Sequence, residues 1–230
     1  MRGWMTRARR LLAVSIASAV IALIAVEPAM SGEKEDRLFV AAGKNDVAAI
    51  RASLAEGAAI DARDGQGRTA LLVATHHNNV AAAKALIEAG ADVNARDAID
   101  DSPYLYAGAR GHLDILRLTL THGADLRSTN RYGGTALIPA AERGHVETVR
   151  TLIEAGVAVD HVNDLGWTAL LEAVILGDGG PRHVEIVRLL LDAGADPGIP
   201  DREGVTALDH ARTRGFRGMI ALLETAGRRP

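Results

Sequence analysis

The chain has 230 residues, no cysteine and a formal net charge of −3, from 26 basic and 29 acidic residues. The absence of cysteine excludes disulfides, cysteine-ligated zinc and a thiol nucleophile. The charge lacks the basic excess that is typical of nucleic-acid-binding domains. Because only 3% of residues are aromatic, the core has to be built mainly from alanine, leucine and other aliphatic side chains.

The first 31 residues have the layout of a secretory signal peptide. Four arginines within the first ten residues precede an uncharged, mostly apolar run at 11–26. Ala29 and Ser31 then fit the −3 and −1 positions of a signal-peptidase site, just after Pro28. We expect cleavage after Ser31. The loss of four arginines and one glutamate would change the net charge from −3 to −6.

This layout predicts an exported protein, most simply a periplasmic one, that does not insert into the membrane after cleavage. The alternative is an uncleaved helix that anchors the protein in the inner membrane. The apolar run has 16 residues, whereas a spanning helix needs about 20. Its length therefore favours cleavage over anchoring.

The rest of the chain is an internal repeat. Glycines at predicted turns and hydroxyl residues both recur every 33 residues, and in both series the last step is 38 residues. The hydroxyl residues are Thr69, Ser102, Thr135, Thr168 and Thr206, and the glycines are Gly57, Gly90, Gly123, Gly156 and Gly194. Both series place a five-residue insertion near Gly177–Arg182, between the helices of one unit.

Each unit has the same predicted layout. A glycine-rich tip is followed by the Thr or Ser, which is expected to cap a short apolar helix. A break such as Gly144-His145 separates it from a second helix with apolar residues at i, i+3, i+4 and i+7. The unit closes on a glycine, commonly in Gly-Ala-Asp, which is a typical helix stop. The sequence thus predicts stacked helix pairs that bury their apolar faces against neighbouring pairs.

These features resemble the ankyrin repeat, over nearly all of residues 34–227. The family's Thr-Pro-Leu-His motif is present in altered form as Thr69-Ala70-Leu71-Leu72, Ser102-Pro103-Tyr104-Leu105, Thr135-Ala136-Leu137-Ile138, Thr168-Ala169-Leu170-Leu171 and Thr206-Ala207-Leu208-Asp209. The resemblance implies an all-α solenoid, monomeric, in six units: 34–63, 64–96, 97–129, 130–162, 163–200 and 201–227. It also implies a concave face, lined by the tips and first helices, that binds other proteins.

The most distinctive stretch runs from Asn130 to His183. Tyr132 and Trp167 stand at tip positions that the ankyrin family often uses for contacts, and aromatic side chains beside arginine are typical of interface hot spots. Tyr104, at the family's Leu position, is expected in the core. The predicted partner-binding residues are Tyr106, Arg110, Arg131, Tyr132, Glu142, Arg143, Leu165, Trp167 and Glu172. For Leu165 and Trp167 the alternative is packing on neighbouring tips.

No catalytic or metal-binding motif is present in the sequence. His112, His145 and His183 stand at the Gly-His break and are expected to pack between units. His76 and His77 are adjacent on a helix and therefore make a poor chelate. We expect no metal, no cofactor and no enzymatic activity, and a role as scaffold, inhibitor or protective partner of a periplasmic or envelope protein. The alternative is a small-ligand binder or enzyme that uses the Gly177–His183 loop with Asn163 and Glu172.

Overall fold

A computed structural model describes residues 32–227, so the predicted signal peptide lies outside the described residues. The described part is entirely helical apart from turns and loops. Its helices are α1 (Glu33–Gly43), α2 (Val47–Ala55), α3 (Ala70–His76), α4 (Val80–Glu88), α5 (Pro103–Arg110), α6 (Leu113–Thr121), α7 (Leu137–Glu142), α8 (Val146–Glu154), α9 (Ala169–Ile175), α10 (Pro181–Asp192), α11 (Ala207–Arg214) and α12 (Arg217–Ala226). Each of units 1–6, as bounded above, holds one helix pair, although α1 begins one residue earlier.

The helices form two stacked layers. Each odd-numbered helix contacts the even-numbered helix of its own unit and the odd-numbered helix of the next. The even-numbered helices likewise contact one another in order. Leu71, Leu137 and Leu170, at one register position of successive units, are at most 1% exposed and form a continuous core. Tyr104 occupies the same position and is fully buried, as predicted.

The tips of units 2–6 share one hydrogen-bonded turn. The Asp or Asn that opens each tip accepts two backbone N–H bonds through its side-chain Oδ1, from the second and fourth residues after it. In unit 5, for example, Asn163 Oδ1 accepts from Leu165 N and Trp167 N, both at 3.0 Å. The five opening residues are Asp64, Asp97, Asn130, Asn163 and Asp201. This bonding leaves the second atom of each carboxylate or amide free for other contacts.

Four of the five first helices in units 2–6 begin with the predicted cap. The side-chain oxygens of Thr69, Ser102, Thr168 and Thr206 each accept a bond from the backbone N–H three residues later. The prediction is wrong for Thr135, whose buried Oγ1 has no hydrogen-bond partner within residues 32–227.

Pro139 accounts for this exception. In unit 5 the N–H of Glu172 donates to the carbonyl oxygen of Thr168 at 3.0 Å. Pro139 stands at the equivalent place in unit 4 and has no N–H to donate. The N–H of Ile138 bonds the carbonyl oxygen of Thr135 instead, at 3.2 Å, and α7 begins later, at Leu137.

The predicted structural histidines connect successive units. His112 Nδ1 lies 2.9 Å from the carbonyl oxygen of Thr75, and His183 Nε2 lies 2.9 Å from that of Glu142. His145 packs over Gly111, where a Cβ atom would lie 2.7 Å from the imidazole. Gly111 also has φ +71°, so glycine is required there for two reasons.

The five-residue insertion forms an ordered turn before α10. Asp178 Oδ1 accepts from Gly180 N at 2.8 Å and lies 2.7 Å from His183 Nδ1. A side chain at Gly179 would collide with Phe216 of unit 6. The turn therefore packs against the last unit, and it returns His183 to the position that histidine holds in units without the insertion.

No helix within residues 32–227 is long and apolar enough to cross a membrane.

Candidate functional site

A groove of about 320 Å³ lies between the tips of units 3–5 and helices α5, α7 and α9. We call it the tip groove. Its lining residues are Asp101, Tyr106, Ala109, Arg110, Asn130, Arg131, Tyr132, Gly134, Ile138, Pro139, Glu142, Arg143, Asn163, Leu165, Glu172 and Leu176. Because the repeat places equivalent residues side by side, three units contribute to one surface.

Two arginine–tyrosine pairs line the tip groove, one from unit 3 and one from unit 4. The Arg110 guanidinium lies 5.4 Å from the centre of the Tyr106 ring. The Arg131 guanidinium lies 4.9 Å from the centre of the Tyr132 ring and 3.7 Å from Asp101 Oδ1. Such cation–π contacts hold a guanidinium over a ring and leave donors for a ligand.

Arg143 adds a third guanidinium to the tip groove. Its Nη1 donates to the carbonyl oxygen of Ala109 at 2.7 Å, which ties it to the end of the preceding first helix. Among the described residues, neither Arg143 nor Arg110 forms an ion pair with a carboxylate. Both are exposed and can therefore donate hydrogen bonds to a carboxylate of a ligand.

Glu172 is the buried acid of the groove. Its carboxylate accepts a bond from Asn163 Nδ2 at 2.8 Å, and the residue is only 5% exposed. Burial, and secondly the nearby charge of Glu142, raise the pKa of Glu172 to about 7, while the bond from Asn163 and the charge of Arg143 oppose this rise. Near neutral pH the Glu172 carboxyl is therefore divided between donor and acceptor forms, so it can bond either kind of ligand group.

The rim of the groove is apolar and exposed. Tyr132, Leu165 and Leu176 are 54%, 48% and 49% exposed. Large hydrophobic side chains grouped around a polar depression are a common mark of a binding surface. The arrangement can thus contact an apolar side chain at its rim and bind polar or charged groups at its floor.

The structure places eight of the nine predicted partner-binding residues in the lining of this groove. Trp167 is not among the lining residues; it is partly buried and packs against the core. The aromatic residues of the groove lining are therefore Tyr106 and Tyr132. The residues of the 177–183 loop are also absent from the lining, so the loop does not contribute to this groove.

Sequence reasoning missed several lining residues, above all Asp101, Asn130 and Pro139. The signal that would have helped is the spacing of residues within each repeat unit. A tip-opening residue and the residue nine positions later face each other, as Asn163 and Glu172 do. The pair Asp201 and His210 in unit 6 repeats this spacing, with Oδ2 and Nε2 2.7 Å apart.

A family model described as ankyrin repeats (3 copies) matches residues 12–97 and 104–201. These ranges cover more than half of the chain, which therefore belongs to the ankyrin repeat family.

Solved structures agree with this assignment. An ankyrin repeat domain from Acinetobacter baumannii is 66% identical, with a TM-score of 0.81 over 83% of this chain and 97% of that one. The ankyrin repeat domain of Bcl-3, a member of the IkappaB family, is 26% identical, with a TM-score of 0.74 over 83% of this chain and 86% of that one.

A curated relative matches over a shorter segment. The ankyrin repeat protein YahD of Escherichia coli K12 is 48% identical over 56 residues, which are 24% of this chain and 28% of that protein. The match spans less than a third of the relative's length. It agrees with the family assignment and adds nothing about activity.

Proposed function

We propose that this chain is an exported protein-recognition module that binds a segment of another protein in the tip groove. Ankyrin repeats are in general a protein–protein interaction module. The observation that carries the proposal is the convergence of two tyrosines, three arginines and a buried glutamate from three units on one groove. This composition is typical of the residues that dominate binding energy in interfaces.

The groove's chemistry defines the segment that would fit. An apolar side chain would pack against Leu165 and Tyr132 at the rim, and an acidic side chain would pair with Arg110 or Arg143. The exposed rim and the ordered floor suit a partner that binds without a large rearrangement of the repeat.

The cellular role proposed with it is that of a scaffold, inhibitor or protective partner of a periplasmic or envelope protein. Residues 1–31 support the location through their signal-peptide layout. The mature chain would act as a soluble monomer in the periplasm. An uncleaved signal helix would instead hold the same domain at the inner membrane, and N-terminal sequencing of the exported protein distinguishes the two.

The test is a capture experiment in the native compartment. The tagged chain is crosslinked to its partners, which are then identified by mass spectrometry. The matched variant carries Tyr132→Ala and Leu165→Ala, two exposed rim residues whose loss leaves the core intact. We expect a protein that the wild type captures and the folded variant does not. Equal capture by both chains would contradict the proposed site.

A second candidate function is binding of a small ligand, or catalysis, in the same groove. The observation that favours it is Glu172, a buried carboxyl with a raised pKa beside Glu142, since such groups are common in active sites. The Gly177–His183 loop, which suggested this alternative in the sequence, does not line the groove. A thermal-shift screen against metabolites tests it. Ligand-induced stabilisation that Glu172→Gln abolishes would support it, and flat curves would count against it.

A further inference from the structure

A second group of polar side chains lies between units 2 and 3, beside the tip groove. His76 ends helix α3, and Asp97 and Asp101 belong to the tip of the next unit. One ligand atom from each of the three side chains lies within 4.8 Å of the others. Ligand atoms around a tetrahedral ion are roughly 3.4 Å apart, given metal–ligand distances of about 2.1 Å. Shifts of up to about 0.8 Å per side chain would therefore bring the three ligand atoms around one ion.

Two of these side chains have ligand atoms that the protein itself does not use. His76 Nε2 is buried and has no hydrogen-bond partner among the described residues. Asp97 uses Oδ1 for the tip turn, accepting from Ile99 N at 2.9 Å and from Asp101 N at 3.0 Å. Its second carboxylate oxygen accepts no hydrogen bond from any group within residues 32–227. A buried imidazole nitrogen without a partner is costly, and an ion would satisfy it.

The ring of His76 is also held in place from one side. It lies against the Tyr106 ring, with centroids 4.1 Å apart. This contact restricts rotation of the imidazole, and a fixed ligand loses less entropy when it binds an ion.

The combination of residues is specific to this junction of the repeat. No later unit has a histidine at the position equivalent to His76, where the residues are Ala109, Glu142, Ile175 and Thr213. No other unit from 2 to 6 has an aspartate at the position equivalent to Asp101, where the residues are Arg68, Gly134, Trp167 and Val205. Unit 2 makes the contrast clearest, because Arg68 Nη2 lies 2.7 Å from Asp64 Oδ2, an ion pair within one tip. In unit 3 two carboxylates replace that pair, with a histidine facing them. The fold does not need this arrangement, since four other tips form without it.

We propose that His76, Asp97 and Asp101 form a binding site for a divalent transition-metal ion of the zinc type. Imidazole nitrogen together with carboxylate oxygen is a donor set that Zn²⁺ accepts readily. Three protein ligands leave a fourth position open for water or for a group of a bound partner. Since Asp101 and Tyr106 also line the tip groove, this position lies at the groove's edge.

The positive charge of neighbouring arginines opposes the binding of a cation. The carboxylates of the site therefore have to outweigh this repulsion. Arg131 Nη1 lies 3.7 Å from Asp101 Oδ1, and this arginine can turn towards solvent because it is exposed. Arg68 is already neutralised by Asp64. Arg110 also acts on His76 and Asp101 and has no ion-pair partner among the described residues, but it is exposed and can likewise turn towards solvent. With Arg131 and Arg110 turned away, the charge of the two ligand carboxylates balances that of a divalent ion.

The test is Zn²⁺ binding by the full chain, freed of metal with a chelator that is then removed. We expect one equivalent of Zn²⁺ by isothermal titration calorimetry, and ligand-field bands in the visible spectrum when Co²⁺ is used instead. His76→Ala is expected to weaken Zn²⁺ binding at least tenfold. His77→Ala is the matched control, because this neighbouring histidine is exposed and lies outside the group.

Asp97→Asn provides a second test that preserves the tip. Asn130 and Asn163 form the same turn in units 4 and 5, so the substitution keeps the local fold and removes one charged ligand. We expect at least a tenfold loss of Zn²⁺ affinity with an unchanged circular dichroism spectrum. Absence of stoichiometric binding by the wild type would overturn the proposal. So would equal losses in the His76→Ala and His77→Ala variants, which would place the ion elsewhere.

Discussion

Units 4 and 5 are adjacent, and their tips form the same hydrogen-bonded turn. The two units differ at the position that faces the groove. Each tip opens with an asparagine, Asn130 or Asn163, whose Oδ1 accepts two backbone bonds at 2.9–3.1 Å. Nine residues later, unit 4 has Pro139 and unit 5 has Glu172. In unit 5 the asparagine amide bonds the glutamate, whereas in unit 4 the amide of Asn130 has no such partner and lines the groove.

The difference shows that the residues that stack the units and the residues that determine the chemistry of the groove occupy different positions of the repeat. Residues that stack the units are interchangeable from one unit to the next, while the chemistry of the groove comes from single exchanges at a groove-facing position. An exchange there also has a local structural consequence, because Pro139 removes the N–H that would continue the hydrogen-bond pattern seen in unit 5. Four experiments test this separation.

The largest effect is expected at the shared core position. Leu137→Ala and Leu170→Ala each remove a fully buried side chain, and such truncations cost about 2–5 kcal/mol. We expect similar losses in the free energy of unfolding for the two variants, measured by urea unfolding. Losses that differ by more than about 2 kcal/mol would show that the units are not interchangeable in the core.

Glu172 gives the next largest effect, and it depends on pH. Because the pKa of Glu172 is raised to about 7 from 4.5, the folded state keeps a proton that the unfolded state has already lost between these values. Stability contributed by this group is therefore present at low pH and falls as pH rises through this window, by about 2–3 kcal/mol.

The variant Glu172→Gln isolates this contribution. It is expected to match the wild type near pH 4.5 and to exceed its stability by about 2–3 kcal/mol at pH 8, since glutamine stays neutral and still accepts from Asn163. Urea unfolding of both chains across this range measures the difference. A difference that does not change with pH would contradict the raised pKa.

The cap residues provide a matched pair of smaller effects. Thr168 Oγ1 accepts from Leu171 N at 3.2 Å, so Thr168→Val is expected to cost about 1 kcal/mol. Thr135 Oγ1 is buried without a partner, so Thr135→Val is expected to be neutral or to stabilise by up to about 1 kcal/mol. Thermal unfolding compares the two. Equal destabilisation would mean that Thr135 has a bonding partner after all.

The smallest effect on stability is expected at the rim of the groove. Tyr132 and Leu165 are about half exposed, and their joint replacement by alanine should change the free energy of unfolding by only about 0.5 kcal/mol. This small change is what allows the double variant to report on binding alone. A loss above about 2 kcal/mol would show that these side chains support the tips instead.

The sequence predicted the fold more fully than the site, and the reason is physical. The 33-residue spacing and the helix stops are local patterns, so they identify the helix pairs directly. Tyr104 could be placed in the core because its register position is otherwise filled by leucine. The cap at Thr135 was mispredicted, since the effect of Pro139 requires knowing which N–H completes the first turn.

The site depends on contacts between residues that are far apart in the chain. Trp167 was predicted either to contact a partner or to pack on neighbouring tips, and the structure packs it against the core. Glu172 was predicted from the sequence as a binding residue. Its raised pKa could not be predicted, because it follows from burial and from Glu142, which belongs to another unit. In the sequence, His76 was assessed as a metal ligand only together with its neighbour His77. The side chains that approach it in the structure come from the tip of the following unit.

Site-specific photo-crosslinking in the native compartment shows whether the tip groove is the recognition surface. A photoreactive amino acid is placed at position 132 in the tip groove and, as the control, at the exposed position of Lys84 on helix α4. We expect a defined protein adduct from position 132 that disappears in a chain carrying Arg143→Ala, and no adduct from position 84. An adduct that forms only from position 84 would contradict the claim that the tip groove is the recognition surface.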